Sequence, residues 1–278
     1  MKRFIALCLA AFLASGASAQ GQGSDEFAKL PWVSGPESGK IGDQATIKLG
    51  DALGFLGADG TSRFLQLTGN PPRPNHYLII PRDKDSDWWA VFHFSPEGYI
   101  KDDEKLDADA LLKAMKESDE PGNQERKRLG MSALYTDGWE VTPHYDPATK
   151  RLEWGVRVRD DKGGITVNYS TRILGREGSM AAILITDPAR LQKDRQSFNA
   201  ALGGFDYNVG KRYAEFKEGD KVAAYGLGAL VLGGAAAAAA KTGAGKAVFK
   251  GLWLAIAAGG AAVWAFIKKM LGRGKESA

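Results

Sequence analysis

Tyr77–Ile80 (YLII) and, after a charged loop, Trp88–Phe94 (WWAVFHF) decide the fold. Both runs are dense in aromatic and β-branched side chains, which suit a pleated, half-buried surface better than a helix. The loop Pro81–Asp87 joins them over a hairpin-like distance. Connections of that length recur along the chain. Upstream, Ala45–Leu49 (ATIKL) alternates apolar and polar residues and reads as a strand, and Arg63–Leu67 (RFLQL) is expected to repeat it. Gly69-Asn70-Pro71-Pro72 is a sharp break, and Ser34–Asp43 (SGPESGKIGD) is turn-rich. Downstream, Asp107 can cap a helix with Asp109 in its first turn and Ala108, Leu111, Leu112 and Met115 on its apolar face. A second, charged helix is expected over Asn123–Leu129, stopping at Gly130. Four strands follow at Trp139–Thr142, Leu152–Val158, Ile165–Leu174 and Met180–Thr186, with turns at Pro147–Lys150 and Asp160–Gly164. Asp187-Pro188 then opens a helix that reaches Leu202 and turns Leu191, Phe198 and Leu202 inward. Strands outnumber helices and no βαβ winding is present, so the expectation is an α+β domain with a mainly antiparallel sheet.

The two ends read differently from this middle. Lys2 and Arg3 precede an apolar stretch, Phe4–Ala14, and Ala17-Ser18-Ala19 offers a cleavage site before Gln20, the three parts of a secretory signal in order. The sole cysteine, Cys8, lies inside that signal, so a chain beginning at Gln20 has no disulfide and no thiolate ligand. After Lys221, the run Val222–Ala240 (VAAYGLGALVLGGAAAAAA) carries no charge and, as a helix of roughly 1.5 Å per residue, approaches the thickness of a bilayer. A second uncharged run, Gly251–Ile267, is bracketed by Lys250 and by Lys268-Lys269 and has Trp253, Trp264 and Phe266 near its ends. The expected organisation is a signal peptide (1–19), a linker (20–29), an extracytoplasmic domain (30–221), a first transmembrane helix (222–240), a basic loop from Lys241 to Lys250, a second transmembrane helix (251–267) and a basic tail (268–278). Gly226, Gly228, Gly233, Gly234, Gly259 and Gly260 would let the two helices of such a hairpin approach closely. A single span is the alternative. It keeps both basic segments on the cytoplasmic side, whereas the hairpin returns the tail, with Lys268 and Lys269, to the outside.

The formal net charge of +4 is modest, and part of it lies in the loop and tail beside the expected membrane, so composition does not point to nucleic acid. Three histidines, His76, His93 and His144, show no metal-ligand spacing, and no cofactor motif is present, so neither metal nor cofactor is expected. Asp102, Asp103 and Glu104 form a carboxylate cluster before a helix. Such a cluster can serve acid–base chemistry or simply stay solvated at a helix entry. Trp139 and Trp154 are candidates for a sugar- or peptide-binding groove, against the plainer reading as sheet packing.

Several segments carry a family resemblance. They are Gly35–Leu49, Gly69–Pro71, Trp88–Leu112, Asn123–Arg126, Asp137–Trp139, Leu152–Trp154, Val167–Tyr169, Leu174–Gly178 and Arg212–Val231. In order and spacing they resemble the bacterial membrane-anchored proteins grouped as domain of unknown function 2167. That resemblance implies a signal, one exported domain and C-terminal membrane segments, and it carries no catalytic residue. The expectation is an accessory or interaction module at the bacterial inner membrane, its domain facing the periplasm or exterior. The expected partners are the lipid bilayer and an envelope protein or glycan, and no nucleic acid. An envelope hydrolase using Asp102, Asp103 or Glu104 with a histidine is one alternative, and a small-helix subunit of a transport complex is another. The second is weakened by the absence of charge within either apolar run.

Overall fold

A computed structural model describes residues 26–234, apart from Gly69, Pro71, Lys84, Asp85, Asp87 and Leu129. The expected signal, linker start, second apolar run and boundary lysines Lys241, Lys250 and Lys268 lie outside these residues.

Eight strands form one antiparallel sheet: β1 (Val33–Ser34), β4 (Leu53–Leu56), β5 (His76–Pro81), β6 (Trp89–Ser95), β10 (Ser179–Thr186), β9 (Ile165–Leu174), β8 (Arg151–Asp160) and β7 (Leu134–Asp146), in that spatial order. A second sheet joins β11 (Phe205–Tyr207), β3 (Ala45–Lys48) and β2 (Ser38–Ile41). The antiparallel α+β expectation therefore holds. The two strands that decided it, β5 and β6, pair as neighbours from His76↔His93 to Ile79↔Ala90.

Each face of the large sheet is covered, because successive side chains on a strand point to opposite faces. On the first face, Ala90 and Phe92 of β6 and Met180, Ala182 and Leu184 of β10 pack with Val167 and Tyr169 of β9. Helix α3 (Leu191–Leu202) and the small sheet close over them through Leu191, Phe198, Leu202, Ile41 and Ile47. The cap at Asp187 is as the sequence implies: its Oδ1 accepts the Ala189 N–H at 2.8 Å and opens a 3-10 turn, Pro188–Arg190, ahead of α3.

The second face is split. Helix α1 (Ala58–Leu67) covers β4, β5 and β6 through Phe64 and Leu65, which meet Leu56, Leu78, Trp89 and Val91. Helix α2 (Ala108–Arg128) covers β7 and β8 through Leu111 and Met115, which meet Leu134, Leu152, Trp154 and Val156. Two expectations are corrected here. Arg63–Leu67 is the end of a helix rather than a strand, because Gly60, Thr61, Phe64 and Leu65 are buried with the three-to-four-residue spacing of a helix. Asn123–Arg128 is not a separate helix. The first helix runs through Pro121, which is exposed, and Ser118, Gly122 and Arg126 continue its buried stripe.

The start of the first apolar run belongs to the domain. Val222 bridges Tyr99 in parallel: the Tyr99 N–H reaches the Lys221 carbonyl and the Ala223 N–H reaches the Tyr99 carbonyl, each at 2.8 Å. A five-residue helix, α4 (Leu227–Val231), then buries Leu227, Leu230 and Val231 beside Ile100 and Leu111. The helix expected from Val222 does not begin there, and among the described residues no helix is long and apolar enough to cross a membrane. Two of the glycines expected to serve helix–helix packing have another reason to lack a side chain. A Cβ at Gly226 would collide with the Glu104 carboxylate, and one at Gly234, whose φ is +68°, with that of Glu97.

Leu230→Ala is expected to lower unfolding free energy by ~2–4 kcal/mol in urea denaturation, the range for a buried leucine that leaves a cavity. A change under ~0.5 kcal/mol, as at a solvent-facing site, would mean that the arm is not part of the domain.

Candidate functional site

The three acidic residues singled out from the sequence do not converge. Asp102 is half-buried and accepts the Tyr145 hydroxyl at 2.7 Å and the Lys150 ammonium at 2.9 Å. Burial alone would raise its pKa, but the hydrogen bonds from Lys150 and Tyr145 hold it below the ordinary carboxylate value. Lys150 also lies over the Tyr213 ring, 5.0 Å from its centre. Glu104 accepts the Gly228 N–H at 3.0 Å and so caps the arm rather than α2, whose first turn is served by Asp107 through the Ala110 N–H. Asp103 is exposed. A hydrolytic pairing of Asp102 with His144 is not formed. Tyr145, which binds Asp102, and its neighbour His144 point to opposite faces of β7, and His144 Nε2 sits 3.5 Å from Glu153. Glu153 also takes the Tyr169 hydroxyl.

The two tryptophans are packing residues. Trp154 is buried among Leu152, Val156 and Leu111, and Trp139 is half-buried, its indole N–H donating to the Ala108 carbonyl at 3.0 Å. Trp139 thereby ties the start of α2 to β7.

What the sequence did not reveal is a groove where β5 begins and β6 ends. Its volume is about 890 Å³. One wall is Asn75, Tyr77 and the stretch His93–Glu97; the second is the β2–β3 turn, Ile41–Gln44; the third is the arm at Lys221, Val222, Ala224 and Tyr225. The turn is fixed by the Asn208 side chain, whose amide donates to the Asp43 carbonyl at 2.8 Å. The arm is fixed by its bridge to Tyr99 and by Glu104. The walls thus come from three segments far apart in the chain.

At the rim, His76 and His93 stack with ring centres 4.4 Å apart and planes within 11°. Each Nδ1 is matched to a backbone carbonyl, Pro74 at 2.8 Å and Asn75 at 3.2 Å. Burial holds both rings neutral: His76 falls to about 4, with His93 and Arg73 adding to the effect, and His93 is lowered by burial and by Arg172 and Arg73. The available signal was His93 itself, a polar residue at one alternating position of an otherwise apolar strand.

The family model described as "Protein of unknown function (DUF2167)" matches residues 34–265. No curated protein matches the sequence. Among solved structures, the solution structure of cyanobacterial PsbP (CyanoP) from Synechocystis sp. PCC 6803 is similar at 12% identity and a TM-score of 0.34, covering 64% of this chain and 91% of that one.

The histidine pair sets a pH dependence. The unfolded chain takes up protons near the ordinary imidazole pKa, but folded His76 does so only near about 4, so stability is whole above the ordinary value and falls as the pH drops from there towards 4. The loss attributable to His76 is at most ~2–3 kcal/mol. Urea midpoints measured between pH 7 and pH 4 should fall less steeply for His76→Asn than for the parent. An identical slope would mean that His76 is as well solvated folded as unfolded.

Proposed function

The chain belongs to the DUF2167 family of proteins of unknown function, and we propose that its domain is an accessory binding module that takes a segment of an envelope protein into the groove. The groove carries this reading. Its size falls within the roughly 300–1,000 Å³ of ligand sites, and its lining mixes apolar surface from Ile41, Phe94 and Val222 with polar groups from Asn75, His93 and Glu97. A glycan reading loses its support, since Trp139 and Trp154 are engaged elsewhere.

The module is carried at the bacterial inner membrane, with the domain on the periplasmic or exterior side. The support is the signal-like N-terminus and the apolar run near the end. Because Val222–Gly234 packs on the domain, only Ala235–Ala240 remains of the first run, about 9 Å of helix against a hydrocarbon core of about 30 Å. Gly251–Ile267, about 26 Å as a helix, is then the anchor. Alkaline phosphatase fused after Gly245 should be active and after Ala278 inactive. An inactive Gly245 fusion would place the crossing earlier and overturn the single anchor.

For the groove, a photoactivatable residue at Ala224 should give a discrete protein adduct in cells, and one at Lys162, in the β8–β9 turn, should not. Equal adducts from both positions, or none from Ala224, would sink the proposal.

A further inference from the structure

One cross-strand row on the second face of the large sheet reads His76, His93, Ala181, Arg172, since each pairs with the next. Arg73 lies within electrostatic reach of both imidazoles, and Arg172 of His93. All four polar residues are half-buried. Arg73 Nη2 and Arg172 Nε are shielded from solvent with no acceptor, and among the described residues neither guanidinium forms an ion pair. Elsewhere the same chain pairs arginine closely: Arg176 grips Asp220 through two bonds of 2.6 and 2.7 Å, and Arg212 grips Asp206 through bonds of 3.1 and 2.8 Å.

Glu97 is the carboxylate whose charge reaches Arg172 and His93, and it is already engaged with the Ser179 hydroxyl at 3.4 Å. One carboxylate facing two guanidiniums leaves an excess positive charge. Holding cations away from water without a counter-charge is costly, and the planar guanidinium fork matches a carboxylate or phosphate edge. His93 joins this cluster to the groove, which it lines.

We infer that Arg73, Arg172 and the His76–His93 pair form an oxyanion subsite of the groove, receiving a carboxylate of the bound protein segment, from an acidic side chain or the chain end. This rests on the groove being a binding site. The small apolar Ala181 between His93 and Arg172 in the row leaves room there for the anion's oxygens. A phosphate offers the same oxygens, and the two are separable by titration.

The three histidines make the test direct, because His144 is on the other face beside Glu153 and serves as an internal reference. Sodium acetate is titrated into the full chain in detergent micelles at constant ionic strength, with chloride as the balancing ion, and the imidazole NMR signals are followed. Saturable shifts are expected at His76 and His93, with His144 unmoved. Arg73→Gln and Arg172→Gln should each weaken the apparent affinity at least about tenfold, the loss expected for a charge-assisted hydrogen bond. Arg73 sits outside the sheet, so its variant decides the matter should Arg172→Gln fail to fold. No shift, or equal shifts at all three histidines, overturns the subsite. Saturation by phosphate but not acetate overturns the carboxylate assignment. A failed titration with a persisting Ala224 adduct removes the subsite and leaves the groove reading standing. A successful titration without the adduct does the reverse.

Discussion

The pairing of β6 with β10 is the constraint on which the rest of this domain depends. It runs from Trp89↔Ile185 to Ser95↔Ser179 and joins strands that lie far apart in the chain. Both strands are apolar on both faces, so each supplies residues to the core under α3 and to the core under α1. A slip of one residue in this register would exchange the two faces and expose one apolar set while burying His93 among the other. The hairpin β5–β6 on one side and the meander β7–β10 on the other are local structures. Only this ladder places them in one sheet, and with them the histidines of one half beside Arg172 of the other.

That dependence explains what could be read from the sequence. Strands β5, β6, β8, β9 and β10 were legible because burial imposes apolar runs or alternation on them. The Asp107 and Asp187 caps were legible because a carboxylate that satisfies first-turn N–H groups is a local device. Helix α1 was misread because Arg63–Leu67 is too short a window to separate the two periods, and its earlier buried positions, Gly60 and Thr61, are not apolar. Helix α2 was divided because Pro121 reads as a break, although an exposed proline in a helix long enough to be held by packing on both sides is tolerated.

The site was hidden for a different reason. Asp102, Asp103 and Glu104 stand together in the sequence but diverge in space, Asp102 to Tyr145 and Lys150, Glu104 to the arm, Asp103 to solvent. Arg73, His76, His93 and Arg172 are dispersed in the sequence and meet only through strand register. The glycines of the first apolar run mislead in the same manner. Small residues suit close helix packing, but Gly226 and Gly234 are small because carboxylates of the domain lie against them.

The arm has a mechanical consequence. Any pull on the chain beyond Gly234 meets the domain first at α4 and then at the two backbone hydrogen bonds between Tyr99 and the Lys221–Ala223 stretch. Those few bonds would part strand by strand, like a zip, well before the eight-stranded sheet is loaded. The same stretch is one wall of the groove. The groove is therefore the element of the fold most exposed to tension, and a ligand bridging the arm and β6 would resist that tension as a clasp.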